Sequence, residues 1–326
     1  MSFIDVFNGD ADGICALHQL RLTTPRPEAL LITGVKRDIG LLSRLQHVKD
    51  CTLTVLDISL DRNRSALLEL LAQNNRILYI DHHYCGDLPA AANLETHIDP
   101  RPEACTSIIV DSLLQGRHRP WAIVGAFGDN LDEFALRLAD SLALEQPAIA
   151  ALKETGILLN YNGYGARLDD LYTPPDELYR QVSEYADPLL FHKNSPALEA
   201  LRQGYEDDMF LAQSYSPVQE SSHGRIFLLP EKPWARRVAG VFSNTLARQE
   251  PGKAHGLLMP NSDGTLRISV RAPLNNPTGA DQLCRRFPTG GGRAAAAGVN
   301  NLPREQATEF MQAFMAQFDE ASFPGP

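Results

Sequence analysis

Residues 76–86 read RILYIDHHYCG, and the way this run ends decides how the chain is read. Ile77, Leu78, Tyr79 and Ile80 are apolar and partly β-branched, with Arg76 before them and Asp81, His82 and His83 after them. So short a bounded apolar run predicts a buried parallel strand. A carboxylate and two imidazoles at its carboxyl end stand where open α/β sheets bind ligands, which marks a metal site or an acid/base pair.

The same pattern recurs along the first half. FIDVFN (3–8) predicts a strand that breaks at Gly9-Asp10-Ala11-Asp12-Gly13, and ICALHQLRL then has helical spacing. Either Asp10 or Asp12 alone reads as a cap or an Asx turn. Together, in one loop beside a helix start, they repel unless a cation lies between them, and so favour a metal. ALLITGV (29–35) and CTLTVLDISL (51–60) predict two further strands, each followed by helical spacing. Strand and helix therefore alternate as in a parallel doubly wound sheet. Asp57 ends the second of these strands; Asp61 is available to cap the next helix, which leaves Asp57 for chemistry.

Pro100 and Pro102 precede a helix that starts near Cys105, with Thr106 and Ser107 in its first turn. Free N–H groups and hydroxyls there form a candidate anion seat, although capping alone explains them. In AIVGAFGDN (122–130), Gly125 and Gly128 predict close backbone packing, with Asp129 directed into a crowded space. Residues 132–195 read as helices with polar, Gly- and Tyr-rich connections, and 196–215 as a helical connector. Beyond the polar break SPVQESSHG, the segments GRIFLLP, AHGLLMP and TLRISVRAP are strand-like, whereas PWARRVAGVFSNTLARQ and QATEFMQAFMAQF are helix-like. PTGGGRAAAAGVNNLP (288–303) reads as a loop in which Gly290, Gly291 and Gly292 let the backbone approach a ligand or a neighbouring strand. The expected organisation is a catalytic α/β domain over 1–185, a helical linker over 186–220 and a smaller α/β domain over 221–326.

Composition narrows the function. The 326 residues suffice for two cores, and 44% hydrophobic with 21% charged residues is ordinary for a globular chain. No apolar run approaches the roughly 18 residues needed to span a bilayer, and MSFIDVFNGD lacks a signal-peptide layout, so no membrane contact and a cytoplasmic location are expected. Five cysteines without a C-x-x-C pair suggest neither a disulfide framework nor structural zinc, and Cys85 reads as a packing residue. A net charge of −10 argues against stable binding of long nucleic acid. Residues 1–220 hold 18 Lys and Arg against 32 Asp and Glu, whereas 221–326 hold 12 against 8, so an acidic part of −14 precedes a basic part of +4. Carboxylates in the first suit cations; the second suits an anionic substrate.

Collected, the first part supplies Asp10, Asp12, Asp57, Asp81, His82, His83 and Asp129. Oxygen-rich donors with one or two imidazoles suit a pair of Mn²⁺ or Mg²⁺ ions better than zinc. Two ions ~3.5 to 4 Å apart clamp a phosphoryl group, so phosphoester hydrolysis is the expected reaction class.

NGDADG (8–13), VLDISL (55–60), YIDHHYCG (79–86) and GAFGDN (125–130) together resemble the four metal motifs of the DHH phosphoesterase superfamily. VRAP (270–273) followed by GGGRAAAAG (290–298) resembles its C-terminal DHHA1 substrate-binding subdomain. The resemblance implies that Asp57 bridges two metals, that Asp10 binds one, and that Asp12, His82 and Asp129 bind the other. It further implies that His83 contacts the scissile phosphate and that Asp81 orients a histidine. Arg271, Gly290, Gly291, Gly292 and Arg293, with Ser107, become the expected substrate contacts. Two positions depart from the family pattern. Val6 stands where many relatives carry a histidine, leaving Asn8 or water to complete that metal's shell. Arg293 stands where the family signature usually has histidine, which keeps a phosphate contact but changes the base or sugar contact. The implied function is an Mn²⁺-dependent phosphodiesterase that hydrolyses short linear dinucleotides such as pGpG, or oligoribonucleotides, to mononucleotides; a homodimer is compatible with it. Alternatives within the class are a cyclic-dinucleotide hydrolase, a phosphoadenosine-phosphate hydrolase and a single-strand exonuclease. Outside it stands a nucleotide-binding regulator with a degenerate metal site.

Overall fold

Asp10 ends the influence of the first strand and starts the first helix. β1 (Phe3–Phe7) is buried along all but its first residue, and Asp10, in extended conformation, caps α1 (Ala11–Thr23) by accepting from the N–H groups of Asp12 and Gly13. α1 is buried on every side from Ala11 to Gln19, as a central helix must be. There follow β2 (Leu30–Ile32), β3 (Thr52–Leu56), α2 (Leu60–Ala72), β4 (Arg76–Asp81) and β5 (Leu94–Ile98). Seven further helices come next: α3 (Thr106–Leu113), α4 (Arg119–Gly128), α5 (Asp132–Ser141), α6 (Gln146–Gly163), α7 (Pro175–Ser183), α8 (Pro188–Asn194) and α9 (Pro196–Gln213). This computed structural model describes residues 2–319 and divides into two compact units, Met1–Gly204 and Tyr205–Pro326, the division falling within α9.

The first unit's sheet is parallel throughout, in the order β2-β1-β3-β4-β5. From β1 the chain passes first to β2 on one side and then to β3 on the other. That reversal opens a crevice beyond the carboxyl ends of β1 and β3, where Asp10 and Asp57 lie. β5 went unread in the sequence because LETHI alternates polar with apolar residues and stays half-exposed at the sheet edge. The cap of α2 is Ser59 rather than Asp61; its hydroxyl accepts from the N–H of Arg62 at 3.5 Å, and Asp57 is free of capping either way.

Small residues set the spacing of the helices. A Cβ on Gly128 would meet the Cβ of Ala11 at 2.3 Å, and one on Gly156 would meet the carbonyl of Val124 at 2.3 Å. α1, α4 and α6 therefore touch almost backbone to backbone. This contact carries Asp129, the residue after α4, towards the loop of Asp10 and Asp12.

The second unit contains β6 (Gln219–Glu220), β7 (Gly224–Leu228), α10 (Pro233–Gln249), β8 (Ala254–Pro260), β9 (Leu266–Arg271), α11 (Ala280–Cys284), β10 (Gly290–Gly292), β11 (Ala296–Leu302) and α12 (Ala307–Gln317). Its sheet runs β10-β11-β9-β8-β7-β6, with β7 and β8 parallel and the other pairs antiparallel. Phe310 and Phe314 of α12 fill its core against Ile226, Ile268 and Val270. The glycine run is a correction to the expected loop: Gly290–Gly292 is a strand, hairpinned onto β11. Its smallness is used by the fold, since a Cβ on Gly290 would fall 1.8 Å from the carbonyl of Cys284 and one on Gly298 2.6 Å from that of Ile268. Among the described residues no helix is long and apolar enough to cross a membrane.

Gly128→Val should destabilise the first unit by ~1–3 kcal/mol, the usual cost of overpacking, seen as a lower urea midpoint. An unchanged midpoint would contradict the close α1–α4 contact.

Candidate metal centre

Each acidic residue of the crevice is held by a different part of the first unit. Asp10 Oδ1 accepts from the N–H groups of Asp12 and Gly13, both at 3.1 Å, while Oδ2 accepts from Lys36 Nζ at 2.5 Å. Asp12 lies on the N-terminus of α3, its Oδ2 2.7 Å from the N–H of Thr106 and its Oδ1 2.8 Å from that of Ser107. The free donors of that helix start thus seat an anion supplied by the protein itself.

Asp57 follows β3 with φ of 59°, a left-handed conformation that Asp tolerates better than most residues and that is common at strained functional positions. Its Oδ1 accepts from the Thr106 hydroxyl at 3.1 Å and lies 3.4 Å from His82 Nε2. His82 Nε2 is also 3.8 Å from Asp129 Oδ2. Asp81, fully buried at the end of β4, holds His83 Nδ1 at 2.7 Å. The His82 and His83 rings stack obliquely, with centroids 4.4 Å apart.

The electrostatics follow from this crowding. Burial, reinforced by the charges of Asp12, Asp10, Asp129 and Asp81, pushes the Asp57 carboxyl well above its usual range. Burial also raises Asp129, with Lys36 opposing it and Asp12 and Asp10 adding to it. Burial would raise Asp10 too, but the adjacent Lys36 ammonium overrides it and holds that carboxyl below its usual range. For His83, burial favours the neutral ring, yet the bond to Asp81 and the charges of Asp81, Asp12 and Asp129 outweigh it and raise its pKa.

Donor atoms converge in two overlapping sets, Asp57–His82–His83 and Asp12–His82–Asp129, each with its atoms within 4.8 Å of one another. Crowded carboxylates that raise the Asp57 pKa, together with imidazole nitrogens, fit a divalent cation. Asp10 belongs to neither set.

The structure therefore gathers Asp10, Asp12, Asp57, Asp81, His82, His83 and Asp129 at one end of the parallel sheet. Ser107 is a correction to the expected substrate contacts. It is fully buried, its N–H is taken by Asp12, and its hydroxyl lies 3.2 Å from Cys105 Sγ. In the second unit, Arg271 pairs across β9 and β11 with Ala296, and its Nε donates to Asn244 Oδ1 at 2.8 Å. Arg293 is exposed at the tip of the β10–β11 hairpin, where its N–H and carbonyl exchange bonds with Ala296 at 2.9 and 3.1 Å. Arg271 and Arg293 thus share one end of their sheet. Lys36 and Asn160 are the members of the first unit's centre that the sequence reading missed, and Thr106, read there as part of an anion seat, instead bonds Asp57. A signal for Lys36 exists: it lies just past β2, at the same end of the sheet as Asp10.

No family model and no curated protein sequence matches the chain. Solved structures do resemble it. Against the manganese complex of RecJ from Thermus thermophilus the TM-score is 0.60 at 16% identity, over 100% of this chain and 53% of that one, so the chain spans about half that protein's length. A second manganese-bound RecJ exonuclease gives 0.59 at 16% identity over 99% of this chain and 91% of the other. The pGpG-specific phosphodiesterase PggH from Vibrio cholerae gives 0.52 at 12% identity over 98% and 99%.

The crowded carboxylates have two measurable consequences. Because the folded pKa of Asp57 is raised, the metal-free fold loses stability as pH climbs from the ordinary carboxylate range through that raised value. A divalent cation replaces the proton, so the rise in Tm on adding Mn²⁺ should be larger near about pH 8 than near about pH 6. An equal rise at both would contradict the assignment. Asp57→Asn, which keeps the left-handed backbone but removes the ionisable carboxyl, should raise the metal-free Tm by roughly 2–6 °C and lose most of the Mn²⁺-dependent rise. A lower metal-free Tm with the Mn²⁺ response intact would contradict it. On these comparisons the chain carries the fold of the DHH phosphoesterases, a parallel α/β unit followed by a smaller unit built on a mixed sheet.

Proposed function

We propose that the chain is a divalent-cation-dependent phosphodiesterase that hydrolyses short linear nucleotides, dinucleotides such as pGpG or oligoribonucleotides, to mononucleotides. The carrying observation is the convergence of two donor sets that share His82, Asp57–His82–His83 and Asp12–His82–Asp129, at the carboxyl ends of the parallel strands. The shared fold with RecJ and PggH supports the reaction class. A net charge of −10 supports a short substrate over a long polyanion.

Mn²⁺ or Mg²⁺ would be held by Asp12, Asp57, His82 and Asp129, and when bound supplies Lewis-acid stabilisation of phosphoryl oxygens and a more acidic attacking water. The chain's own residues supply the rest. His83, kept in one tautomer by Asp81, carries a proton at Nε2 when charged and is partly exposed, so it can hydrogen-bond the scissile phosphate. Asp81 is a positioning residue. Thr106 orients Asp57 through its hydroxyl, and the two N–H groups at the N-terminus of α3 fix Asp12 in place. In the second unit, Arg271, Arg293 and the backbone of Gly290–Gly292 are the proposed phosphate contacts, with the guanidinium of Arg293 able to engage two oxygens at once.

The test is turnover by the full chain, with Mn²⁺, of pGpG, pApA, longer RNA, cyclic dinucleotides and phosphoadenosine phosphate. Linear dinucleotides should be cleaved fastest. No turnover of any compound by metal-loaded protein would overturn the enzyme reading in favour of a nucleotide-binding regulator, the rival that Lys36 on Asp10 favours. Longer RNA cleaved as fast as dinucleotide would overturn the short-substrate reading. Arg293→Ala should raise KM by about tenfold with kcat within about twofold, as expected for a lost charge-assisted phosphate contact; an unchanged KM would remove Arg293 from substrate binding.

A further inference from the structure

Lys36 is placed where a cation is needed and is fixed there from several directions. Its Nζ lies 2.5 Å from Asp10 Oδ2, 3.0 Å from Asn160 Oδ1 and 3.4 Å from Asp129 Oδ1. These three oxygens come from the cap of α1, from α6 and from the residue after α4, so three elements converge on one positive point. The backbone is held as well: the N–H of Lys36 donates to the carbonyl of Gly163 at 2.9 Å, and its carbonyl accepts from Asn8 Nδ2 at 3.3 Å. The Tyr164 ring faces the ammonium at 5.6 Å.

Among the described residues no converging set of His, Cys, Asp or Glu donors includes Asp10, and a further oxygen on this side is the buried, unpaired Asn8 Oδ1. Val6, where a ligand side chain would have to project from β1, is fully buried among apolar residues. Asp10 has its other oxygen committed to two N–H groups of α1. A divalent ion on Asp10 would share an oxygen with an ammonium 2.5 Å away, and the like charges would repel.

We propose that Lys36 permanently takes the place of one metal ion, so that this chain binds a single divalent cation, at Asp12, Asp57, His82 and Asp129, rather than the pair that the resemblance implies. The proposal rests on the metal-dependent reading of the site given above. The Lys36 ammonium sits among the oxygens of Asp10, Asn160 and Asp129, the place a cation bound to Asp10 would take. The lysine then serves as a fixed charge that cannot be lost to a chelator. Asp10 accordingly becomes a positioning residue that caps α1 and anchors Lys36.

The experiment is Mn²⁺ stoichiometry on the full chain, stripped with a chelator, reloaded, freed of excess metal, and read by elemental analysis and electron paramagnetic resonance. Wild type should retain a single Mn²⁺ per chain with a mononuclear six-line spectrum. Lys36→Arg should do the same, whereas Lys36→Ala and Lys36→His should retain a second ion and show a spin-coupled spectrum. Wild type that binds a spin-coupled pair overturns the proposal while leaving the metal reading intact, and that arm needs no variant to fold. Folded Lys36→Ala and Lys36→His that both stay mononuclear also overturn it. Wild type that binds no Mn²⁺ overturns the metal reading itself and this proposal with it.

Discussion

The two backbone N–H groups that open α3 grip both oxygens of Asp12, at 2.7 and 2.8 Å, and this grip organises the first unit. Without it, a carboxylate two residues from Asp10 and facing Asp57 and Asp129 would be driven out of the crevice by like charge. With it, α3 is tied to the loop before α1, and Thr106 is brought onto Asp57. The glycines of α4 and α6 complete the arrangement by letting those helices approach until Asp129 and Asn160 join the group. The fold therefore concentrates negative charge and meets part of it with donors of its own.

The compensation is uneven across the crevice, and the chemistry follows from that unevenness. On the Asp10 side, helix N–H groups and Lys36 supply the positive charge. On the Asp57 side, burial and the neighbouring carboxylates raise the carboxyl pKa, and imidazole nitrogens lie beside it. The donors on the second side fit a divalent cation. His83 stands at its margin, partly exposed and backed by the buried Asp81, which suits a group that meets substrate.

Much of this was legible in the sequence, because strand ends are punctuated there by acids. NGDADG, VLDISL, YIDHHYCG and GAFGDN mark where apolar runs stop, and a parallel sheet brings such stops to one end. What stayed hidden depends on side chains distant in sequence or on spacing between backbones. Lys36 has no motif around it and joins the site only when β2 is placed beside β1, and Asn160 lies in a polar stretch that reads as connection. The N–H of Ser107 looked free because the carboxylate that uses it is 95 residues away. The triple glycine read as a loop that approaches a ligand or a neighbouring strand, and it is a strand itself, crowded by Cys284 and β11. β5 was missed since an edge strand need not be apolar.

The most direct test is a crystal structure of the full chain grown with Mn²⁺ and measured at the manganese absorption edge. One anomalous peak is expected within bonding distance of Asp12, Asp57, His82 and Asp129, with the Lys36 ammonium still on Asp10. A second peak on Asp10 with Lys36 displaced, or no peak among these four residues, would contradict a single cation paired with a built-in lysine charge.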